Sequence, residues 1–302
     1  MAAHHHHAPD FGRAFVIGIS LNVAFVAIEG FYGWKTGSLA LLADAAHNLS
    51  DVGGLLLAWA AFGAAKLKSD QRHTYGWRRG SIIASFINAV VLLVAMGSLS
   101  WEAIQRLGTQ SDIDAGVVMV VAGIGVLING ITAWLFLSGS RHDLNIRGAF
   151  LHMAADTLVS VGVVLGGALY IWQGWHWIDP VLSLLIALII IYGTARLFRQ
   201  SLHLLFDGVP DDIDLDAVRS VLAKACGVVS VHDLHVWAMS TSDNALTAHL
   251  VVASGTDRDQ LLEQLLKQLD DQFELHHATL QIESELVAGD CLVAGKNGCG
   301  GR

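Results

Sequence analysis

Two stretches of this chain are apolar enough to lie in a bilayer, and each is broken by the same pair of ionisable residues. Ser38–Ala61 (SLALLADAAHNLSDVGGLLLAWAA) carries His47 and Asp51, and Gly148–Gln173 (GAFLHMAADTLVSVGVVLGGALYIWQ) carries His152 and Asp156. A spacing of four puts His and Asp on one helix face, a turn apart. Asp44, three residues before His47, falls on the same stripe. An Asp at the centre of a spanning helix costs roughly 2.5–3.5 kcal/mol on insertion scales, so such groups persist where they face a bundle interior and bind something. Two such turns supply two imidazoles and two carboxylates. That set suits a tetrahedral divalent ion of borderline softness, with zinc the leading candidate. The carboxylates cancel a 2+ charge, so the loaded site is neutral in a low-dielectric setting. Metal ligands must be deprotonated, so loading expels protons, and a site open to each side in turn would exchange metal for protons. The competing reading is polar hydrogen bonding between helices, which suits one HxxxD turn better than two on separate helices.

The 302 residues are 53% hydrophobic and 15% charged, where a soluble domain carries about 25% charged residues. An integral membrane protein is expected. Six stretches come near the ~20 residues needed to span: Ala14–Trp34, Ser38–Ala65, Gly80–Ile104, Ala115–Ser138, Gly148–Gln173 and Ile178–Phe198. Lys66, Lys68, Arg72, Arg78, Arg79, Arg141, Arg147, Arg196, Arg199 and Arg13 fall on one side, against Lys35 and Arg106 on the other. That bias puts both termini in the cytoplasm, and Trp34, Trp101, Trp172, Trp175 and Trp177 at the outer interface. The second and fifth spans are then antiparallel, which levels each His with the other helix's Asp. Ala45, Ala46, Ser50, Gly53, Ala154, Ala155 and Ser160 are small enough to let those two helices come close. The first residues lack a signal-peptide pattern, so the first span is expected to direct insertion.

After Phe206 the character changes. From Asp207 onward there are 6 Lys/Arg against 16 Asp/Glu. An acidic half argues against a nucleic-acid partner, which wants a basic face. The pattern reads helix–strand–strand–helix–strand, a small α+β domain of ferredoxin-like or metallochaperone-like kind. The expected organisation is a cytoplasmic His-containing tail (1–13), a six-helix transmembrane domain (14–206), a cytoplasmic α+β domain (207–287) and a flexible Gly-rich tail (288–302). His4–His7 reads equally as part of an affinity tag or as a native metal-collecting tail. Cys226, Cys291 and Cys299 form no disulfide framework.

SLALLADAAHNLSD, RGAFLHMAADTLVSVGV and VHDLHVWAMS are similar to the best-marked segments of the cation diffusion facilitators, and the resemblance runs over roughly Phe11–Glu285. It implies a homodimer in a bacterial inner membrane, exporting zinc, with cadmium or cobalt tolerated, from the cytoplasm against inward protons. It places His47, Asp51, His152 and Asp156 at the transport site. It sets Asp70 and His73 at a loop metal site, although Trp77 stands where the family has a further His, and a solvated loop His is the alternative there. It sets His232 and His249, with Glu283 in place of an acidic ligand, at a cytoplasmic metal site, while Gln281 stands where some members have a second His. His235, His276 and His277 lie nearby. It makes Arg79 and Asp207 a charge pair tying the spans to the tail domain. Glu29, Asn22, Asn88 and Asn129 are expected to hydrate a cavity or bond between helices.

Three function classes follow. The first is a divalent-metal/proton antiporter needing no cofactor, with zinc as cargo and as regulatory ligand of the tail domain. The second, a metal-gated channel or membrane metal sensor, would show no proton coupling. The third, an intramembrane metalloenzyme, would need an open metal position and a general base as in HExxH, and no such motif is present.

Overall fold

The computed structural model describes residues 12–65, 69–108, 113–137 and 144–284. Lys66, Lys68, Arg141, Cys291, Cys299, the His4–His7 tail and the 288–302 tail lie outside these residues. Six long helices come first: α1 (Gly12–Thr36), α2 (Leu39–Ala65), α3 (Gly80–Arg106), α4 (Ala115–Leu137), α5 (Leu144–Gln173) and α6 (Ile178–Leu205). Then follow α7 (Leu215–Lys224), β1 (Val228–Ala238), β2 (Asn244–Val252), α8 (Arg258–Phe273) and β3 (His277–Ser284). Among the described residues four helical segments are long and apolar enough to cross a membrane: Gly80–Arg106, Ala115–Trp134, Phe150–Gln173 and Ile178–Leu205. They turn apolar side chains outward; Val94 is 65% exposed and Leu158 72%. An apolar exterior over closed helical backbones is what a bilayer demands. The chain is a membrane protein.

Two compact units form. One holds the chain up to Leu56 with Ile87–Arg196, the other Leu57–Phe86 with the chain from Leu197 on. In the first, Leu41, Met96, Val121, Val163 and Ala187 build a core from five helices. Helices α4 and α5 pack along their length. A Cβ on Gly125 of α4 would come within 3.0 Å of Ser160 Oγ and 2.9 Å of Phe25 Cζ, so a larger residue here would have to push one of these side chains aside. Ser160 of α5 faces Gly125 of α4 and also donates to Asp44 of α2, in keeping with its expected place between α2 and α5; Ala155, from the same set, is exposed. Asp179, at the start of α6, caps α2. Its carboxylate accepts from Ser38 Oγ (2.6 Å) and from the Leu39 backbone N–H (3.0 Å), satisfying a free donor of the helix start.

In the second unit the strand order is β1-β2-β3, with β1 antiparallel to β2 and β2 parallel to β3. Helix α8 makes the crossover that a parallel pair needs. Its Leu261, Leu265 and Leu269 repeat every four residues and are buried against Leu222, Val236, Leu246 and Leu250. Asp214 and Asp257 cap α7 and α8, accepting from Asp216 and Ala217 N–H and from Gln260 N–H respectively. The α+β domain expected after the spans is present, as α-β-β-α-β.

Candidate metal centres

Helix α2 presents His47 and Asp51, and helix α5 presents His152 and Asp156. The structure brings all four together. His47 Nε2 lies 3.6 Å from Asp51 Oδ2 and 3.8 Å from Asp156 Oδ1. His152 Nε2 lies 3.1 Å from Asp51 Oδ2 and 3.6 Å from Asp156 Oδ2. The two rings meet edge to face, 5.8 Å apart. Around a tetrahedral ion with bonds of roughly 2.0–2.2 Å, ligand atoms stand about 3.3–3.6 Å apart. The four His–Asp separations bracket that value. Asp51 Oδ2 and Asp156 Oδ2 are enclosed and accept no hydrogen bond. Buried carboxylate oxygens are costly without a partner. Ligand atoms of His47, His152 and Asp156 all lie within 4.8 Å of one another, and Asp51 Oδ2 adjoins both imidazoles. Asp156 is buried (3% exposed), whereas the side chains of Asp51 and His152 are 37% and 41% exposed, so the cluster has one wall open.

Asp44 is also buried, at 2%. Ser160 Oγ donates to it at 3.4 Å. Glu29 of α1 is fully enclosed and accepts from Asn48 Nδ2 at 3.3 Å. Sequence reasoning missed Asp179. Its signal was an acidic residue at the start of an apolar span, but its partner lies 140 residues away.

In the sheet domain His232 pairs directly with His249 across β1 and β2, and Gln281 of β3 lies beside His249. Glu283 reaches both imidazoles: His249 Nδ1 at 2.9 Å and His232 Nε2 at 3.5 Å. Neither nitrogen has an aligned hydrogen bond, so lone-pair atoms of three side chains face one point, as a bound metal would require. Gln281 Nε2 donates to Glu283 Oε1 at 2.7 Å and orients it. Asp233, which sequence reasoning passed over, joins from a bulge between His232 and His235. Its φ is +50°, and its two oxygens lie 3.0 Å from His235 Nε2 and 3.7 Å from His249 Nε2. His276 and His277 do not join the cluster; they contact Asp270 and Tyr75.

Asp70 and His73 lie together in the loop between α2 and α3, both exposed. Asp70 Oδ1 accepts from the backbone N–H of His73 (2.5 Å) and of Arg72 (2.7 Å). These donors hold the carboxyl below the usual Asp range, with the His73 amide the main cause. The His73 ring stacks on Trp77, 4.1 Å between centroids. Arg79 Nη2 donates to Asp207 Oδ1, and both side chains are about half exposed.

A helical membrane domain with a two-His, two-Asp cluster, carried on the same chain as an acidic α+β domain with its own His/Glu cluster, defines a polytopic membrane transport protein. The family model described as the cation efflux transmembrane domain matches residues 15–206, and that described as the cytoplasmic domain of cation efflux proteins matches residues 210–285. The zinc transporter ZitB of Escherichia coli (strain K12) is 36% identical over 94% of this chain and 92% of its own. The cadmium, cobalt and zinc/H(+)-K(+) antiporter of Bacillus subtilis (strain 168) is 33% identical over 93% and 92%. The metal cation efflux system protein CzcD of Cupriavidus metallidurans is 37% identical over 93% and 90%. The chain belongs to the cation diffusion facilitator family, a family of membrane transporters.

Proposed function

We propose that this protein exports divalent metal from the cytoplasm, with zinc as the main cargo and cadmium or cobalt also accepted, in exchange for protons. The observation that carries the reading is the set of four His–Asp separations of 3.1–3.8 Å across α2 and α5. They fit one tetrahedral cation whose charge the two aspartates balance. The names of the three relatives, each a transporter or efflux protein, support metal export, and one of them names proton exchange. The transport domain is taken as 14–206 and the regulatory domain as 207–287. The protein works as a homodimer in the bacterial inner membrane with both termini in the cytoplasm. His232, His249 and Glu283 bind regulatory zinc, and Arg79–Asp207 holds the tail domain to the spans.

Proteoliposomes with an imposed pH gradient test this. Zinc entering the vesicles should drive protons out, and Asp51→Ala should abolish both fluxes while the protein still inserts. Zinc flux without proton movement would identify a channel or sensor and overturn the exchange reading.

A further inference from the structure

His249 of β2 is held between two carboxylates. Its Nδ1 lies 2.9 Å from Glu283 Oε1, and its Nε2 lies 3.7 Å from Asp233 Oδ2. The second contact exists because β1 is bulged. His232 pairs with His249 and His235 with Thr247, so β1 takes three steps where β2 takes two. Leu234 stays in the core, and Asp233 is the extra residue. A bulge of this kind re-aims a side chain. The Asp233 backbone is left-handed, at φ +50°, a conformation that Asp accepts more readily than most residues. His235 Nε2 lies 3.0 Å from the other oxygen, Oδ1, and pins the carboxylate beside His249.

A neutral imidazole carries one N–H and offers one lone pair. Which nitrogen carries the proton is decided by what each one faces. At Nδ1 the Glu283 contact is close but misaligned, so a proton there makes no hydrogen bond. Glu283 Oε1 already accepts from Gln281 Nε2 at 2.7 Å. At Nε2 a proton faces the Asp233 carboxylate, just beyond hydrogen-bond length, and gains the attraction of its charge. The lone pair of Nδ1 then faces Glu283, which His232 Nε2 reaches as well, at 3.5 Å.

We propose that Asp233 is a positioning residue: it holds the proton of His249 on Nε2 and so keeps Nδ1 open as a metal-binding atom. A metal-bound imidazole commonly gives its other N–H to a carboxylate in this way. The consequence for zinc rests on the reading of His232, His249 and Glu283 as a regulatory zinc site. Asp233 then sets the affinity of that site without touching the ion.

Nitrogen-15 NMR of the histidine-labelled, metal-free full-length protein in lipid reads the tautomer directly at about pH 8, where histidine is ordinarily neutral. The His249 signals are identified by their loss in His249→Gln. Nδ1 is expected as the unprotonated nitrogen in the wild type. Asp233→Gly removes the carboxylate while suiting the left-handed backbone, and protonation of Nδ1 should rise. Asp233→Asn keeps an acceptor oxygen and should retain the wild-type pattern. A proton on Nδ1 in the wild type, or the same tautomer in Asp233→Gly, overturns the proposal. Calorimetric titration with zinc checks the consequence. Asp233→Gly should weaken the binding step that Glu283→Ala erases by roughly 10–100-fold, and Asp233→Asn should weaken it less. If that step is present and Asp233→Gly leaves its affinity unchanged, the positioning role is wrong. If the wild type and Glu283→Ala titrate alike, the regulatory-zinc reading fails, and the tautomer alone decides for or against Asp233.

Discussion

The two clusters use nearly the same side chains on opposite supports. In the membrane unit each His and its Asp stand four apart on one helix, and two helices close the set. In the sheet domain His232, His249 and Glu283 come from three strands and meet only because β1, β2 and β3 align in one register. Helical ligands are local: two short turns each carry half the site, and one packing event joins them. Strand ligands are non-local, so a one-residue slip would turn every one of them to the other face. Both carboxylates of the membrane cluster reach both imidazoles, whereas in the sheet Glu283 reaches both and Asp233 reaches His249 from the bulge.

The strongest way to break this comparison is to remove one carboxylate from each cluster. Asp156→Ala should lower zinc uptake into proteoliposomes to the level of empty vesicles, because one carboxylate cannot neutralise a dication away from water. The expected loss in zinc affinity is on the order of 100-fold or more, beyond the roughly 10–100-fold typical of groups that only support a ligand. Glu283→Ala should erase a separate binding step in calorimetric titration of the full-length protein and slow uptake without abolishing it. Equal loss of uptake in both variants would mean that the clusters do not divide the work between transport and regulation.

A smaller effect is expected at Asp179, which touches neither cluster. Asp179→Ala strips the acceptor from Ser38 and from the first N–H of α2. Leaving such buried donors unpaired costs about 1–3 kcal/mol. Thermal unfolding in detergent should shift down accordingly, with zinc affinity reduced less than in Asp156→Ala. Unchanged stability would show that α2, and with it His47 and Asp51, is positioned by packing alone.

How much of this was legible in the sequence follows from the same distinction. The HxxxD turns, the apolar spans and the leucine stripe of α8 were readable because they repeat at the helical period within a short stretch. The α-β-β-α-β order was readable from alternation and turn residues. Asp179 beneath α2, Ser160 against Gly125, and Asp233 at its bulge were not, because each role depends on a partner far along the chain or on a local break in register. Glu29 was half legible: it stood out as an acid within an apolar stretch, but nothing in its spacing says that Asn48 of α2 is its hydrogen-bond partner.

The smallest expected effect concerns the loop pair, which sharpens the comparison by showing what a His/Asp pair does without convergence. Asp70 already serves as the acceptor for two backbone N–H groups, and Trp77 covers one face of His73. Its carboxyl is held below the usual value of about 3.9 chiefly by the His73 amide. For a depressed carboxyl the stabilising contribution is complete above the ordinary value and fades as pH falls through the lower, folded one. The turn should therefore be intact at neutral pH and open only in acid. Amide proton shifts of Arg72 and His73, followed by NMR from neutral to strongly acidic pH, should move together with a midpoint below the ordinary Asp value. Asp70→Asn keeps an acceptor oxygen, so it should preserve the turn and remove that transition, with zinc uptake unchanged within error. A fall in uptake comparable to that of Glu283→Ala would instead place the loop among the metal centres, and the contrast between converging and isolated pairs would have to be redrawn.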